Sequence, residues 1–314
     1  MRRAKLIAAI AAPVLGAAML AACSSSGGSG SPGANADVAV TGTYGKAPTV
    51  KIPSKSPGSA LTVKTLVNGT GPAVSSTAAF VANYVFYTWD GTSHKLVENT
   101  FSSNPQLMAG SLIPGLTTAL NGKKVGSRVL AVVPPADAYG SQGDTQEGIS
   151  PNSTMVFVVD LLGVFGSNED VSGTQVNAGA GLPAVSDITG SAPTITIPAS
   201  APPTSLTVKT LVQGTGPAVK GGQYIVVQYT GVDWRTGKVF DSSWSRKAPL
   251  GFAVGEAGSV ILGLDTGLEG VRVGSRVLLV VPPADGYGSK GVSSAGITGT
   301  DTLVFAVDVL GAFG

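Results

Sequence analysis

The sequence predicts an α+β protein made of two tandem copies of one small domain, each a mainly antiparallel sheet with a single short helix. Three observations predict it. At 314 residues the chain exceeds an ordinary single domain of about 100–200 residues. It repeats itself, in order, along most of its length. Each copy carries short β-branched and aromatic runs bounded by Gly and Pro, and one helical pattern.

The repeat is explicit. LTVKTLV occurs at Leu61–Val67 and at Leu206–Val212, with GTGPAV following at Gly69–Val74 and Gly214–Val219. VGSRVL occurs at Val125–Leu130 and Val273–Leu278, and VVPPAD at Val132–Asp137 and Val280–Asp285, each followed shortly by Tyr-Gly. Even the approach segments agree, APTVKIP at Ala47–Pro53 and APTITIP at Ala192–Pro198. The unit is a whole domain, far longer than a solenoid repeat of about 20–45 residues.

In the second copy, Leu206, Val208 and Leu211 open a strand, and Gly214–Pro217 is a turn signal. Tyr224–Tyr229 is β-branched and aromatic, as a central strand should be. Arg235–Lys238 reads as a hairpin turn. Ile261–Val271 is the helical candidate, with Leu264 and Leu268 four apart and Gly270 near its end. Val277–Val281 and Leu303–Leu310 close the unit as strands.

Ahead of the repeat, Met1–Lys5 is basic and Leu6–Ala22 apolar, then Leu20-Ala21-Ala22 precedes Cys23, the chain's one cysteine. This is an export signal, and the Cys at that position resembles a bacterial lipobox. The resemblance implies cleavage before Cys23, lipid on its thiol, and a chain held on the outer face of the cell membrane. The expected organisation is a signal peptide over 1–22, a flexible Ser/Gly-rich spacer over 23–40, a first domain over 41–166, a linker over 167–190 and a second domain over 191–314. Composition excludes other classes. Without Arg2, Arg3 and Lys5 there are 17 basic against 18 acidic residues, no footprint for nucleic acid. One Cys excludes an intramolecular disulfide framework, and one His, His94, excludes multi-His metal sites. No metal or cofactor is expected. GTGPAV lacks the Gly-Lys-Ser/Thr of a phosphate cradle. Trp89, Trp234 and Trp244 are read as lying in or beside loops, packing locally or forming a peptide-gripping rim.

Read in order, the second copy contains VQYTG (Val227–Gly231), GKVFDSSWSR (Gly237–Arg246), GSVILGLDTGLEGVRVGSR (Gly258–Arg276), PPADGYG (Pro282–Gly288) and TLVFAVDVL (Thr302–Leu310). This set resembles the FKBP-type peptidyl-prolyl cis–trans isomerases, the macrolide-binding immunophilins, over nearly all of Leu206–Gly314. The resemblance implies two tandem FKBP-like domains, each a twisted antiparallel sheet wrapped around one short helix. It implies that proline-containing segments of exported proteins are the partners, and macrolides candidate ligands.

Carried over residue by residue, the family's catalytic set falls on Tyr229, Phe240, Asp241, Ile261, Tyr287 and Phe305. Arg246, Leu250, Phe252, Val260, Leu264 and Ile297 complete the substrate wall. Leu250 and Leu264 stand where the family usually has aromatic residues, so the slot is apolar but less aromatic. Such residues suit the bond. Resonance gives the X–Pro amide a rotational barrier of about 18–20 kcal/mol. The twisted amide is less polar than the planar one, so a dry apolar slot disfavours the ground state relative to it. No nucleophile or metal is required.

The first copy carries a worn set: Tyr84, Ile113, Leu116, Tyr139, Ile149 and Phe157, with Val97-Glu98 in place of Phe240-Asp241, a shorter following loop and no matching Arg. It is expected to bind or space, with weak or no turnover. The leading expectation is an exported, lipid-anchored prolyl isomerase. A non-catalytic peptide-binding or chaperone lipoprotein using the same pocket is the alternative, and a surface scaffold is the third reading.

Overall fold

The computed structural model describes residues 33–110, 112–186 and 189–314. Cys23 and the expected export signal lie outside the described residues. The first unit holds β1 (Ala39–Thr41), β2 (Thr49–Lys51), β3 (Thr62–Val67), β4 (Ala79–Asp90), β5 (Ser93–Asn99), β6 (Gln106–Met108), α1 (Pro114–Leu120), β7 (Arg128–Val133) and β8 (Thr154–Phe165). The second holds β9 (Ala184–Val185), β10 (Ile195–Thr196), β11 (Thr207–Val212), β12 (Tyr224–Asp233), β13 (Val239–Ser242), β14 (Leu250–Ala253), α2 (Leu262–Leu268), β15 (Arg276–Val281) and β16 (Leu303–Phe313). Each unit has a six-stranded sheet. The orders are β3-β7-β8-β4-β5 with β6 on β4, and β11-β15-β16-β12-β13 with β14 on β12. The registered strand pairs are antiparallel. The architecture is α+β, as the pattern predicts.

The helix is shorter than the periodicity suggests. Glu269 leaves helical geometry at φ −64, ψ 132, and Gly270 at φ +83 turns the chain towards β15. Gly263 and Gly267 let α2 lie hard against the sheet. A Cβ on either would sit 2.5 Å from Val281 or Leu279. This close approach sets Leu264 into the core between helix and sheet.

An antiparallel sheet usually keeps one face wet and alternates along its strands. Here β7 (RVLAVV) and β15 (RVLLVV) are buried throughout, so both faces are covered. The inner face holds the helix. The outer face is covered by the chain that precedes the sheet. In the first unit Ala34, Val38 and Ile52 pack on Trp89, Leu130, Val132, Val156 and Val158. In the second, Leu182, Val185, Ile195 and Ile197 pack on Leu211, Val232, Trp234, Leu278, Val280 and Val304.

Segments of the expected spacer and linker, around Ala34 and Val38 and around Ala178, Leu182 and Val185, are straps laid across apolar sheet faces. The straps' few apolar anchors remove hydrophobic area from water, at about 25 cal/mol per Å², which offsets the ordering of a polar, Gly-rich segment.

Each strap also engages a buried ion pair. Arg128 and Asp160 are bidentate at 2.6 and 2.8 Å, and so are Arg276 and Asp308 at 2.6 and 2.7 Å. Arg128 donates on to the carbonyls of Gly42 and Lys46, and the Gly45 N–H donates to Asp160 at 2.8 Å. Arg276 donates to Gln175 Oε1 in the second strap. Trp89 lies beside the β4–β5 turn. It ends β4, is fully buried, and donates from its indole to the Lys55 carbonyl at 3.0 Å.

Candidate active site

β12 presents Ile225, Val227 and Tyr229 to the inner core, and β16 presents Phe305, Val307 and Val309 to the same space. The predicted apolar set converges there. Tyr229, Phe252, Leu264, Ile297 and Phe305 are buried in one cluster, and Phe240, Leu250, Val260 and Ile261 pack half-buried against it. Aromatic contacts knit the set. Phe240 meets Phe305 edge-on at 5.6 Å, and Tyr229 meets Phe305 at 6.2 Å. On β14, Leu250 faces Val227, two residues from Tyr229, whereas Phe252 faces Ile225, four residues away. Leu250 therefore sits nearer the site, and the buried Phe252 fills core.

Gly231 lets the two rings lie against the chain. It faces Asp241 across β12 and β13. A Cβ there would meet Phe240 at 2.8 Å and Phe305 at 3.0 Å. The rings take the space a side chain would need.

The polar edge is a three-member network. The Tyr229 hydroxyl donates to Asp241 Oδ2, Arg246 Nη1 donates to Asp241 Oδ1, and Arg246 Nη2 donates to the Tyr229 oxygen at 2.8 Å. The guanidinium also lies 5.5 Å from the Tyr229 ring centroid. Burial, then the hydrogen bond to Asp241, push the Tyr229 hydroxyl up to about 12, against the opposing pull of Arg246. Arg246 and Asp241 are exposed by 45% and 40%, so their pair is worth little as a stability term. Its effect is to orient a carboxylate at an apolar edge. Tyr287 is 41% exposed, and burial and the Asp241 charge raise its pKa.

The first unit's equivalent is closed. Tyr84, Ile113, Leu116, Ile149 and Phe157 are all fully buried, with only Tyr139 half-buried. Where the second unit has Gly231, the first has Phe86, opposite Glu98 in the same register. Phe86 stacks on Phe157 at 4.7 Å with the planes 8° apart. Val97 in place of Phe240 makes the room. Tyr84 donates to Glu98 at 2.6 Å, and the loop that follows contains no arginine. Burial, then Glu98, raise the Tyr84 pKa, and burial, then Asp144 and Glu147, push Tyr139 up to about 12. The decisive substitution, Phe86 for Gly231, escapes a motif reading and shows only when YVF (Tyr84–Phe86) is aligned with YTG (Tyr229–Gly231).

The family model described as FKBP-type peptidyl-prolyl cis-trans isomerase matches twice, at residues 74–162 and 216–310. The chain belongs to this family. An FK506-binding protein from Streptomyces anulatus is 40% identical over 118 residues, covering 38% of this chain and 94% of that protein. The peptidyl-prolyl cis-trans isomerase FKBP9 of Mus musculus is 32% identical over 238 residues, covering 73% of this chain and 35% of that longer protein. Among solved structures, the three FKBP domains of wheat FKBP73 match at 21% identity and a TM-score of 0.32, over 80% of this chain and 94% of that one. Both units are thus FKBP domains, one with a partly exposed site and one with a buried site.

Proposed function

We propose that the second FKBP domain rotates X–Pro bonds in exported proteins, from a lipid anchor on the outer face of the cell membrane. One observation carries the catalytic assignment. Tyr229, Asp241 and Arg246 form a closed polar network beside an apolar cluster, and Gly231 lets the Phe240 ring lie against the chain next to Asp241.

The mechanism follows from the bond. A proline ring enters the apolar space over Leu264 and Phe305, walled by Phe240, Val260 and Ile261. Water is displaced, so the polar planar amide loses solvation that the less polar twisted amide needs less. Asp241 faces the rotating carbonyl as a fixed negative charge, held by Tyr229 and Arg246. Ile261 caps α2, where a backbone N–H has no intrahelical acceptor, and it receives the flanking peptide carbonyl. The Tyr287 hydroxyl donates to a second carbonyl. No covalent bond is made or broken. The missing aromatic residues at Leu250 and Leu264 weaken macrolide binding more than turnover, because a drug needs the full wall and a single proline does not.

The first domain is a spacer or accessory binder with a filled slot. The anchor reading rests on the basic start, the apolar run and Cys23. Among the described residues no helix is long and apolar enough to cross a membrane.

Isomerisation of a short X-Pro peptide tests the catalytic reading. Wild type accelerates it and Asp241→Ala slows it; a wild-type rate equal to the uncatalysed one overturns the reading. Membrane partition of the full chain against Cys23→Ser tests the anchor. The variant should be released to the soluble fraction, and equal partition would reject lipidation.

A further inference from the structure

The hairpin turn that joins β12 to β13 carries Arg235, and its guanidinium reaches across to the loop that precedes β16. Arg235 Nε donates to Asp301 Oδ1 and Nη2 donates to Asp301 Oδ2, both at 2.8 Å. This is the two-pronged fit of a guanidinium on a carboxylate. Asp233 steadies the turn by accepting the Arg235 backbone N–H at 2.8 Å. Asp301 also accepts the Thr298 N–H at 2.8 Å, and Arg235 Nη2 donates to the Gly296 carbonyl at 3.4 Å. Gly296 and Thr298 are the chain neighbours of Ile297. The guanidinium and its carboxylate therefore hold the backbone on both sides of Ile297, whose side chain is buried in the isomerase cluster.

The two partners are unequal. The Asp301 side chain is 1% exposed and that of Arg235 52%. Pairs exposed on both sides contribute little, but a buried carboxylate left without its cation is strongly unfavourable, so Asp301 commits Arg235 to this one position. Arg235 and the Thr298 N–H hold the Asp301 carboxyl well below the usual carboxylate range.

The first domain lacks the clamp. Thr88, Asp90 and Ser153 stand where the second has Asp233, Arg235 and Asp301. Its loop nevertheless takes the same form. Asp144 bridges Ile149 as Val292 bridges Ile297. The Ser153 N–H donates to the Ser150 carbonyl at 3.2 Å, as the Asp301 N–H does to Thr298 at 3.3 Å. The buried Ser153 hydroxyl has no hydrogen-bond partner. The loop folds without the ion pair, so folding alone does not account for it. In the second domain the pair ties the hairpin that leads into Phe240 and Asp241 to the loop that carries Ile297.

We propose that Arg235 and Asp301 are positioning residues for prolyl isomerisation, fixing Ile297 relative to the Phe240–Asp241 hairpin and so setting the width of the substrate slot. This assignment rests on the isomerase reading of the second domain. Ile297 is an apolar wall that meets the planar and the twisted amide alike, so the clamp acts on KM more than on kcat.

The test combines turnover of an X-Pro peptide by the full chain with the δ1-methyl NMR signal of Ile297, assigned through Ile297→Val. Arg235→Ala should raise KM about fivefold, the size of one lost hydrogen bond, with kcat within about twofold of wild type. Arg235→Lys keeps a cation beside Asp301 and so protects the fold, but an ammonium cannot grip both carboxylate oxygens as a fork does, and its KM should also rise. In an Ile297→Ala background, Arg235→Ala should change KM by less than about twofold, because the residue it acts through is gone. In both Arg235 variants the Ile297 methyl signal should shift or broaden while that of Ile149 stays in place. A wild-type KM in either Arg235 variant overturns the proposal, and so does the full effect of Arg235→Ala in the Ile297→Ala background. An unmoved Ile297 signal overturns it too. That signal needs no turnover, so it decides the clamp separately from the isomerase reading, which falls if the wild-type chain itself leaves the uncatalysed rate unchanged.

Discussion

The two FKBP domains share a sheet, a helix, a strap and a buried Arg–Asp pair, yet they differ where chemistry would occur. In the second, Gly231 lets Phe240 and Phe305 lie against the chain and against each other. In the first, Phe86 occupies the matching position and stacks on Phe157. The scaffold is common to both, and a few side chains separate a partly exposed site from a buried one. Stability and function are therefore carried by different residues on the same strands.

The shared framework gives the largest expected effect. Removing Arg276 leaves Asp308 buried and unpaired, and removing Arg128 does the same to Asp160. Each loss should cost about 3–5 kcal/mol. Denaturant unfolding of Arg276→Ala and Arg128→Ala should show similar destabilisation, each confined to its own domain. A much smaller loss in one would mean that the two frameworks are not equivalent.

Next come the polar edges. Asp241→Ala should lower kcat/KM on an X-Pro peptide about tenfold, roughly 1.4 kcal/mol of barrier. Glu98→Ala, at the matching place in the first domain, should leave turnover unchanged. Equal losses from both would show that both domains turn over. Tyr287→Phe removes one peripheral donor on a half-exposed ring, so a loss of about threefold to tenfold is expected, in line with one hydrogen bond.

The smallest effect is in pH. Burial and Asp241 raise the Tyr229 pKa to about 12, so the hydroxyl keeps its proton to Asp241 well above the ordinary value of about 10. The folded state binds this proton more tightly than the unfolded state. Its contribution to stability is therefore complete below about pH 10 and is lost as pH rises towards 12. Turnover should be flat up to about pH 10, and tyrosinate absorbance should show Tyr229 titrating late, with a difference between wild type and Tyr229→Phe only above that pH.

Much of this was legible in the sequence. The repeated motifs gave two sheets with one helix each, because β-branched runs such as RVLLVV and the Leu264/Leu268 pair carry strong local signals. The site set around Tyr229, Phe240 and Phe305 was legible because the motifs stand in order. The straps were not. Their anchors, such as Val38, Ile52, Leu182 and Ile195, are sparse and aperiodic within Gly/Ser-rich sequence, so only the sheet beneath them shows that they are buried. The filled slot lay between these cases, since Phe86 against Gly231 is visible once the copies are aligned but acquires meaning only when both rings are seen.

The central claim is that the second domain supplies the activity because Gly231 lets Phe240 wall the site beside Asp241, where the first domain has Phe86 over Val97. The most direct measurement is X-Pro peptide turnover by the full chain carrying Gly231→Phe/Phe240→Val, which transplants the first domain's filling into the second. The filled-slot account predicts a loss of about a hundredfold, of the size that misplacing a reacting group produces, with unfolding behaviour preserved. Turnover near the wild-type rate would contradict it.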